Sequence, residues 1–185
     1  MANDASNVSF GKPKSAGAVY VAPAGTTLPT DATTALNVAF VSMGYISDDG
    51  LVNSVKTDVE QVHAWGGDKV LVGQTTFGET FTVNLLETNA DALKVYYGDD
   101  NVSVSGDDIT VTQNSEELDE VVVVFELVLT GGRVKRIVVP HAKIADRSGD
   151  ITYTDKDAVM YPAVFEALPD SDGNSHTEYI AVVSS

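Results

Sequence analysis

The chain has 185 residues and a mass of 19.5 kDa, the size of one ordinary domain, and its 43% apolar content is enough for a real core. Eleven Lys and Arg stand against 27 Asp and Glu, a formal net charge of −16. That excludes a general nucleic-acid binder and a protein that docks on an anionic membrane, since both need a basic face. No cysteine is present, so disulfides and thiolate metal sites are excluded as well.

Residues 1–16 are small, polar and aperiodic and predict an extended arm. Met1–Ser15 lacks the apolar run of a secretory signal, and no stretch approaches the ~18 apolar residues of a membrane span, so synthesis in a cytoplasm is expected. From Gly17 the dominant signal is period two with β-branched and aromatic residues. Strands are predicted over Gly17–Ala22, Asn37–Ile46 and Leu51–Trp65, with a Pro- and Gly-bearing loop over Ala22–Ala35. Gly66-Gly67-Asp68 reads as a hairpin turn, after which Lys69–Leu86 returns as a long strand. In that strand Phe77, Phe81, Val83 and Leu85 share one face, and Thr76, Thr80, Thr82 and Asn84 share the other. The outgoing strand alternates poorly, which leaves open the faces of Asp58 and Glu60, and with them that of Glu79.

Thr88–Tyr97 breaks the pattern and predicts the one helix, with Thr88 as its capping hydroxyl, Asp91 in its first turn and Gly98 past its end. Ala92, Leu93, Tyr96 and Tyr97 form its apolar stripe. Gly98–Glu120 reads as an acidic loop. Glu120–Thr130 is a nearly continuous apolar run, the pattern of a central strand covered on both faces. Arg133–Ala145, Ile151–Tyr153, Ala158–Leu168 and Thr177–Val183 complete the strands, separated by turns at Gly131-Gly132, Ser148-Gly149-Asp150 and Asp172-Gly173-Asn174. The fold class is therefore mainly β with a long hairpin and one short helix.

Chemistry-bearing motifs are few. His63, His141 and His176 lack the spacing that aims two imidazoles at one metal. There is no nucleophile elbow, P-loop or dinucleotide fingerprint. The run Asp170–Glu178 offers alternate oxygen ligands, but Gly173 and Ala181 fall where a calcium loop needs other residues, so a hairpin turn is the preferred reading. Adjacent carboxylates such as Asp48-Asp49 and Asp107-Asp108 point apart and read as solvated turns. Neither an enzyme nor a cofactor is expected. Charge is segregated: Val95–Gly132 holds nine carboxylates and no Lys or Arg, whereas Arg133, Lys135, Arg136, Lys143 and Arg147 follow directly. Pairing between neighbouring strands and a head-to-tail interface between subunits both fit this pattern.

The order of these features resembles the major tail, or tail tube, proteins of long-tailed bacteriophages, in the type found in phages of Gram-positive hosts. The pieces that carry the likeness are Met43–Leu51, Val62–Asp68, Leu85–Asn89 with Leu93–Gly98, Val138–Ile144, Gly149–Ile151 and Tyr161–Leu168 with Gly173. They cover nearly the whole chain, about residues 15–183. The resemblance implies a β-sandwich or barrel tail-tube domain over residues 17–185 behind the arm, with the long hairpin at about 51–86 and the helix at about 88–97. It further implies a homo-oligomer of hexameric rings stacked into a tube in the virion tail, through which DNA passes without specific binding. A tape measure protein and tail tip or terminator proteins would be its partners. On this reading Thr76, Thr80, Thr82 and Asn84 face the lumen, while Asp48, Asp49, Leu51, Trp65, Arg133, Lys135 and Arg136 lie at contacts between subunits or rings. The inner tube of a secretion or contractile injection apparatus is the alternative of the same class. An immunoglobulin-like surface binding module and a calcium-stabilised module are alternatives of other classes.

Overall fold

A computed structural model describes residues 3–147 and 149–183; Met1, Ala2, Ser148 of the expected turn, Ser184 and Ser185 lie outside the described residues. In chain order the elements are β1 (Gly11–Pro13), β2 (Val19–Pro23), β3 (Val41–Ser42), β4 (Val52–His63), β5 (Lys69–Leu85), α1 (Ala90–Tyr97), β6 (Val102–Ser105), β7 (Asp108–Val111), β8 (Val121–Leu129), β9 (Arg133–Asp146), β10 (Tyr161–Ala167) and β11 (Thr177–Val182). The protein is mainly β, as the sequence predicts.

Antiparallel pairing runs in the order β3-β2-β8-β9-β10-β5-β4, with β1 added beside β8 and β11 beside β9. In a flat sheet β5 and β8, three places apart, would be separated by about 14 Å. The rings of Phe81 on β5 and Phe125 on β8 instead stack with centroids 5.2 Å apart, so the sheet folds over on itself into a sandwich. The strand that permits this is β9. Its first half pairs with β11 and its second half with β10. Register shifts in β9 lie opposite Val121–Val123 and Val164–Phe165, and bulges of this kind bend a strand. Pro140, which has no N–H to give a ladder, falls within the first shift.

The main core lies between the layers and includes Val19, Phe81, Val83, Leu85, Val123, Phe125, Val139, Ala163 and Phe165. A smaller cluster of Ala22, Phe40, Val122, Val124 and Val138 lies on the other side of β2 and β8. Residues 122–125 of β8 are therefore buried on both faces, which explains the unbroken valine run. Helix α1 closes one side of the main core with Ala92, Leu93 and Tyr96, and Tyr96 meets Tyr161 edge-on at 5.7 Å.

Four local expectations are corrected. The helix cap is Asn89, whose side chain accepts the Ala92 N–H at 2.8 Å; Thr88 instead hydrogen-bonds the Tyr161 hydroxyl at 3.1 Å. The strand expected over Asn37–Ile46 shrinks to Val41–Ser42 and a single bridge from Ile46 to Leu85. Gly44 breaks it: φ is +73°, and a Cβ there would lie 2.1 Å from the Glu87 carboxylate, which accepts the Tyr45 N–H. No strand forms over Ile151–Tyr153. The acidic loop after the helix contains a separate hairpin of β6 and β7, turned at Gly106.

The smaller cluster ends in a buried ion pair. Glu126 and Arg136 are directly opposite on β8 and β9, Arg136 is only 1% exposed, and its Nε donates to Glu126 at 3.0 Å. The second Glu126 oxygen takes Lys14 Nζ at 2.9 Å, and Arg136 Nη1 donates to the Asp31 carbonyl at 2.7 Å. Asp31 is itself fixed by hydrogen bonds from Thr34 and Thr33, which hold its carboxyl well below the usual range. The predicted loop is thus clamped over the outer face of the sheet. Removing one partner strands a buried charge, so Arg136→Ala is expected to cost about 3–5 kcal/mol in urea denaturation, whereas the double replacement Glu126→Leu with Arg136→Met stays near the wild-type midpoint.

Candidate assembly surface

The strands β4 and β5 form the longest pairing in the molecule, and most of it is not covered by the rest of the chain. Strand β10 pairs with β5 only over Glu79–Leu85. All of β4, and β5 from Lys69 to Phe77, is exposed. Beyond Glu79 the chain projects a two-stranded ribbon into solvent, tipped by Ala64–Asp68. Ribbons of two strands are marginal in water without a third layer.

The ribbon is two-faced. Directly opposite residues in an antiparallel pair share a face. One face carries Asn53, Val55, Thr57 and Val59 on β4 with Glu79, Phe77, Gln74 and Val72 on β5. This face continues the core row of Phe81, Val83 and Leu85. Val55, Val59, Val72 and Phe77 on it are each more than half exposed. The other face carries Ser54, Lys56, Asp58 and Glu60 opposite Thr80, Gly78, Thr76 and Gly73. A bulge at Thr75 shifts the parity of β5 between Thr76 and Gln74, while β4 keeps its alternation through Gln61.

Thr76, Thr80, Thr82 and Asn84 do lie on one face of β5. Asp58 joins them, accepting the Thr76 hydroxyl at 2.8 Å, and Glu60 lies on the same face. Asn84 donates to Asp49 at 3.1 Å, tying the strand to the turn before β4. Phe77, which shares the face of Phe81, Val83 and Leu85, is 55% exposed, because it lies two residues beyond the end of the pairing with β10 and outside the core between the layers.

Where the ribbon leaves the body, the core row is interrupted by Glu79, 1% exposed. It accepts Asn53 Nδ2 at 2.7 Å and His176 Nδ1 at 2.9 Å, and takes the Ser175 hydroxyl. Burial pushes its carboxyl up, but the bonds from Ser175, Asn53 and His176, with the charge His176 brings, together hold it below the ordinary range. His176 also packs edge-on against Phe81 at 5.5 Å. This cluster ties both ribbon strands to the turn before β11. Glu79, whose face the sequence left open together with those of Asp58 and Glu60, thus lies on the buried row and not on the face of Thr76 and Thr80; a lone glutamate in an otherwise apolar row was a usable signal.

The charge segregation resolves mainly into pairs inside the subunit. Lys143 bonds Glu117 at 2.8 Å, Lys135 bonds Glu178 at 2.6 Å, and His141 pairs with Glu120. Arg136, assigned from the sequence to a contact between subunits, is buried against Glu126 and offers nothing to a neighbour. Arg133 donates to Ser9 Oγ at 2.6 Å, holding the arm. In the Asp170–Glu178 run, the Asp170 carboxylate accepts the backbone N–H groups of Asp172 and Asn174, which makes a closed turn. Trp65 is fully exposed at the ribbon tip.

A ribbon with exposed valines and Phe77 along one face, Val62 and Leu71 exposed on the other, and two strand edges unpaired among the described residues is the surface of a protein that assembles. The family model described as phage tail tube protein matches residues 1–182. The chain belongs to that family. Its role is structural, as a component of the phage tail tube. Among curated proteins none matches the sequence.

Glu79→Ala leaves the Asn53, Ser175 and His176 donors stranded and is expected to cost about 2–3 kcal/mol at neutral pH. Because the folded carboxyl is held below its unfolded value, its contribution is complete above about pH 5 and lost as pH falls through the lowered value. The gap in urea stability between wild type and Glu79→Gln should therefore close in acid; a gap that persists unchanged there would contradict the assignment.

Proposed function

We propose that copies of this chain close into hexameric rings and that the rings stack into a hollow conduit for DNA, with the β4–β5 ribbons forming the inner wall. The observation that carries the reading is the ribbon itself. Beyond the end of β10, β5 has an unpaired edge from Lys69 to Gly78, and β4 has an unpaired edge along its whole length, among the described residues. These are two different edges of one ribbon. Joining the β5 edge of one copy to the β4 edge of the next is a heterologous contact, and repetition with closure gives a ring without sheet edges. The number six comes from the resemblance of the sequence to tail tube proteins.

The two faces suit the two sides of such a wall. Packed outward against neighbouring subunits, Val55, Val59, Val72 and Phe77 leave water. The face of Thr76, Thr80, Thr82 and Asn84, with Asp58 and Glu60, then meets the lumen. On that face the hydroxyls and the carboxylates of Asp58 and Glu60 outweigh the ammonium of Lys56, and on a subunit of net charge −16 they repel phosphate and let DNA slide without adhering. Asp48, Asp49 and Leu51, before β4, and Trp65 at the tip lie at the two ends of the ribbon and suit contacts between rings; Arg133 and Lys135 suit contacts at the outer body. Tape measure and terminator proteins would engage the tube at its bore and end.

Negative-stain electron microscopy of the purified chain over a range of concentrations tests this. Wild type should give rings or tubes of uniform bore. Phe77→Asp should abolish them with less than about 0.5 kcal/mol change in subunit stability, as for an exposed site, while Thr80→Ser leaves them intact. Assembly of Phe77→Asp into normal tubes would overturn the outward placement of that face.

A further inference from the structure

Two features remain at opposite ends of β4. Trp65 is the one tryptophan of the chain and stands fully in water. Its turn is held by bonds from Ala64 N to Asp68 O at 2.7 Å and from Gly67 N to Ala64 O at 3.0 Å. An indole presented on a fixed turn with nothing beneath it is an anchor without a pocket. In the body, at the start of β4, lies an open cavity of about 550 Å³, between the arm and the segment that leads into β4. Pro13, Ala18, Ile46, Leu51 and Leu127 supply its apolar wall. That volume falls within the range that encloses small organic ligands, and an indole is well inside it.

Trp65 cannot reach the cavity of its own subunit. Ile46 bridges to Leu85 and Leu51 adjoins Val52, so the cavity marks the start of β4. The twelve residues of β4, at about 3.3 Å each, put the tip about 40 Å away. Asp48 lines the cavity, where Lys14 is engaged by Glu126 and Glu87 by the Tyr45 N–H and Asn89, and Lys69 and His63 flank the tip beside Asp68.

We infer that the ribbon tip of one copy seats Trp65 in this cavity of the next copy along the tube. The contact joins unlike surfaces, so it repeats without closing and sets an open-ended stack. It rests on the stacked-ring reading above and adds the residue and the receptor that connect the rings.

The lone tryptophan makes the test direct. Fluorescence of the full chain should shift to the blue on tube formation, and acrylamide quenching should fall several-fold. The absence of cysteine permits a second readout. Asp68→Cys chains mixed with Asp48→Cys chains should give a disulfide-linked dimer under oxidising conditions as tubes form, and neither variant should do so alone. Trp65→Ala should still form rings but lose long tubes. Tubes whose tryptophan emission does not change, or whose emission shifts without the mixed disulfide, would overturn the docking while leaving the tube intact. Failure of wild type to assemble at any concentration would overturn the stacked rings and the docking together.

Discussion

Strand β5 is seventeen residues long, and β10, which covers its inner half, has seven. That mismatch organises the molecule. Over Glu79–Leu85 the strand belongs to a sandwich and alternates buried and half-buried residues. Beyond Glu79 it has no layer to pack against, yet it keeps its pairing with β4 to the tip. The protein thus combines a self-sufficient body with a projecting ribbon whose stability the body cannot supply.

The junction between these regimes is built from polar groups. An apolar residue in place of Glu79 would extend the core without marking its end. A buried carboxylate bonded to Asn53 of β4, and to Ser175 and His176 before β11, instead ties both ribbon strands to the body where the ribbon leaves it. Burying that charge costs free energy, offset by hydrogen bonds to both oxygens, Oε1 from Asn53 and Oε2 from Ser175 and His176. The Glu126–Arg136 pair does similar work on the far side of the sheet, where it clamps the Asp31 loop. In both places a polar contact fixes a geometry that apolar packing alone would leave loose.

Much of this was legible in the sequence. Glycines at 66 and 67, flanked by long β-rich stretches, marked the hairpin, and the valine run of β8 marked a strand covered on both sides. Alternation in β5 from Thr76 onward assigned its faces, because no bulge intervenes before Leu85. Toward the tip the extra residue at Thr75 reverses the parity, and no side-chain pattern announces a bulge in a stretch where both faces are exposed. Asn89 took the cap expected of Thr88, one residue away, since Thr88 found a partner in Tyr161, a contact of |i−j| = 73 that no local rule can see. Burial of Arg136 was hidden for the same reason: its place beside Glu126 depends on strand register, whereas a cluster of basic residues reads as surface.

Amide hydrogen exchange, compared between dispersed subunits and assembled tubes, tests the central claim that the ribbon is completed only by its neighbours. Residues 79–85 and the β8 core should be protected in both states. Residues 54–76 should exchange rapidly in the dispersed chain and become strongly protected on assembly. Equal, strong protection of 54–76 in the dispersed subunit would mean that the ribbon is stable by itself, and would contradict the account.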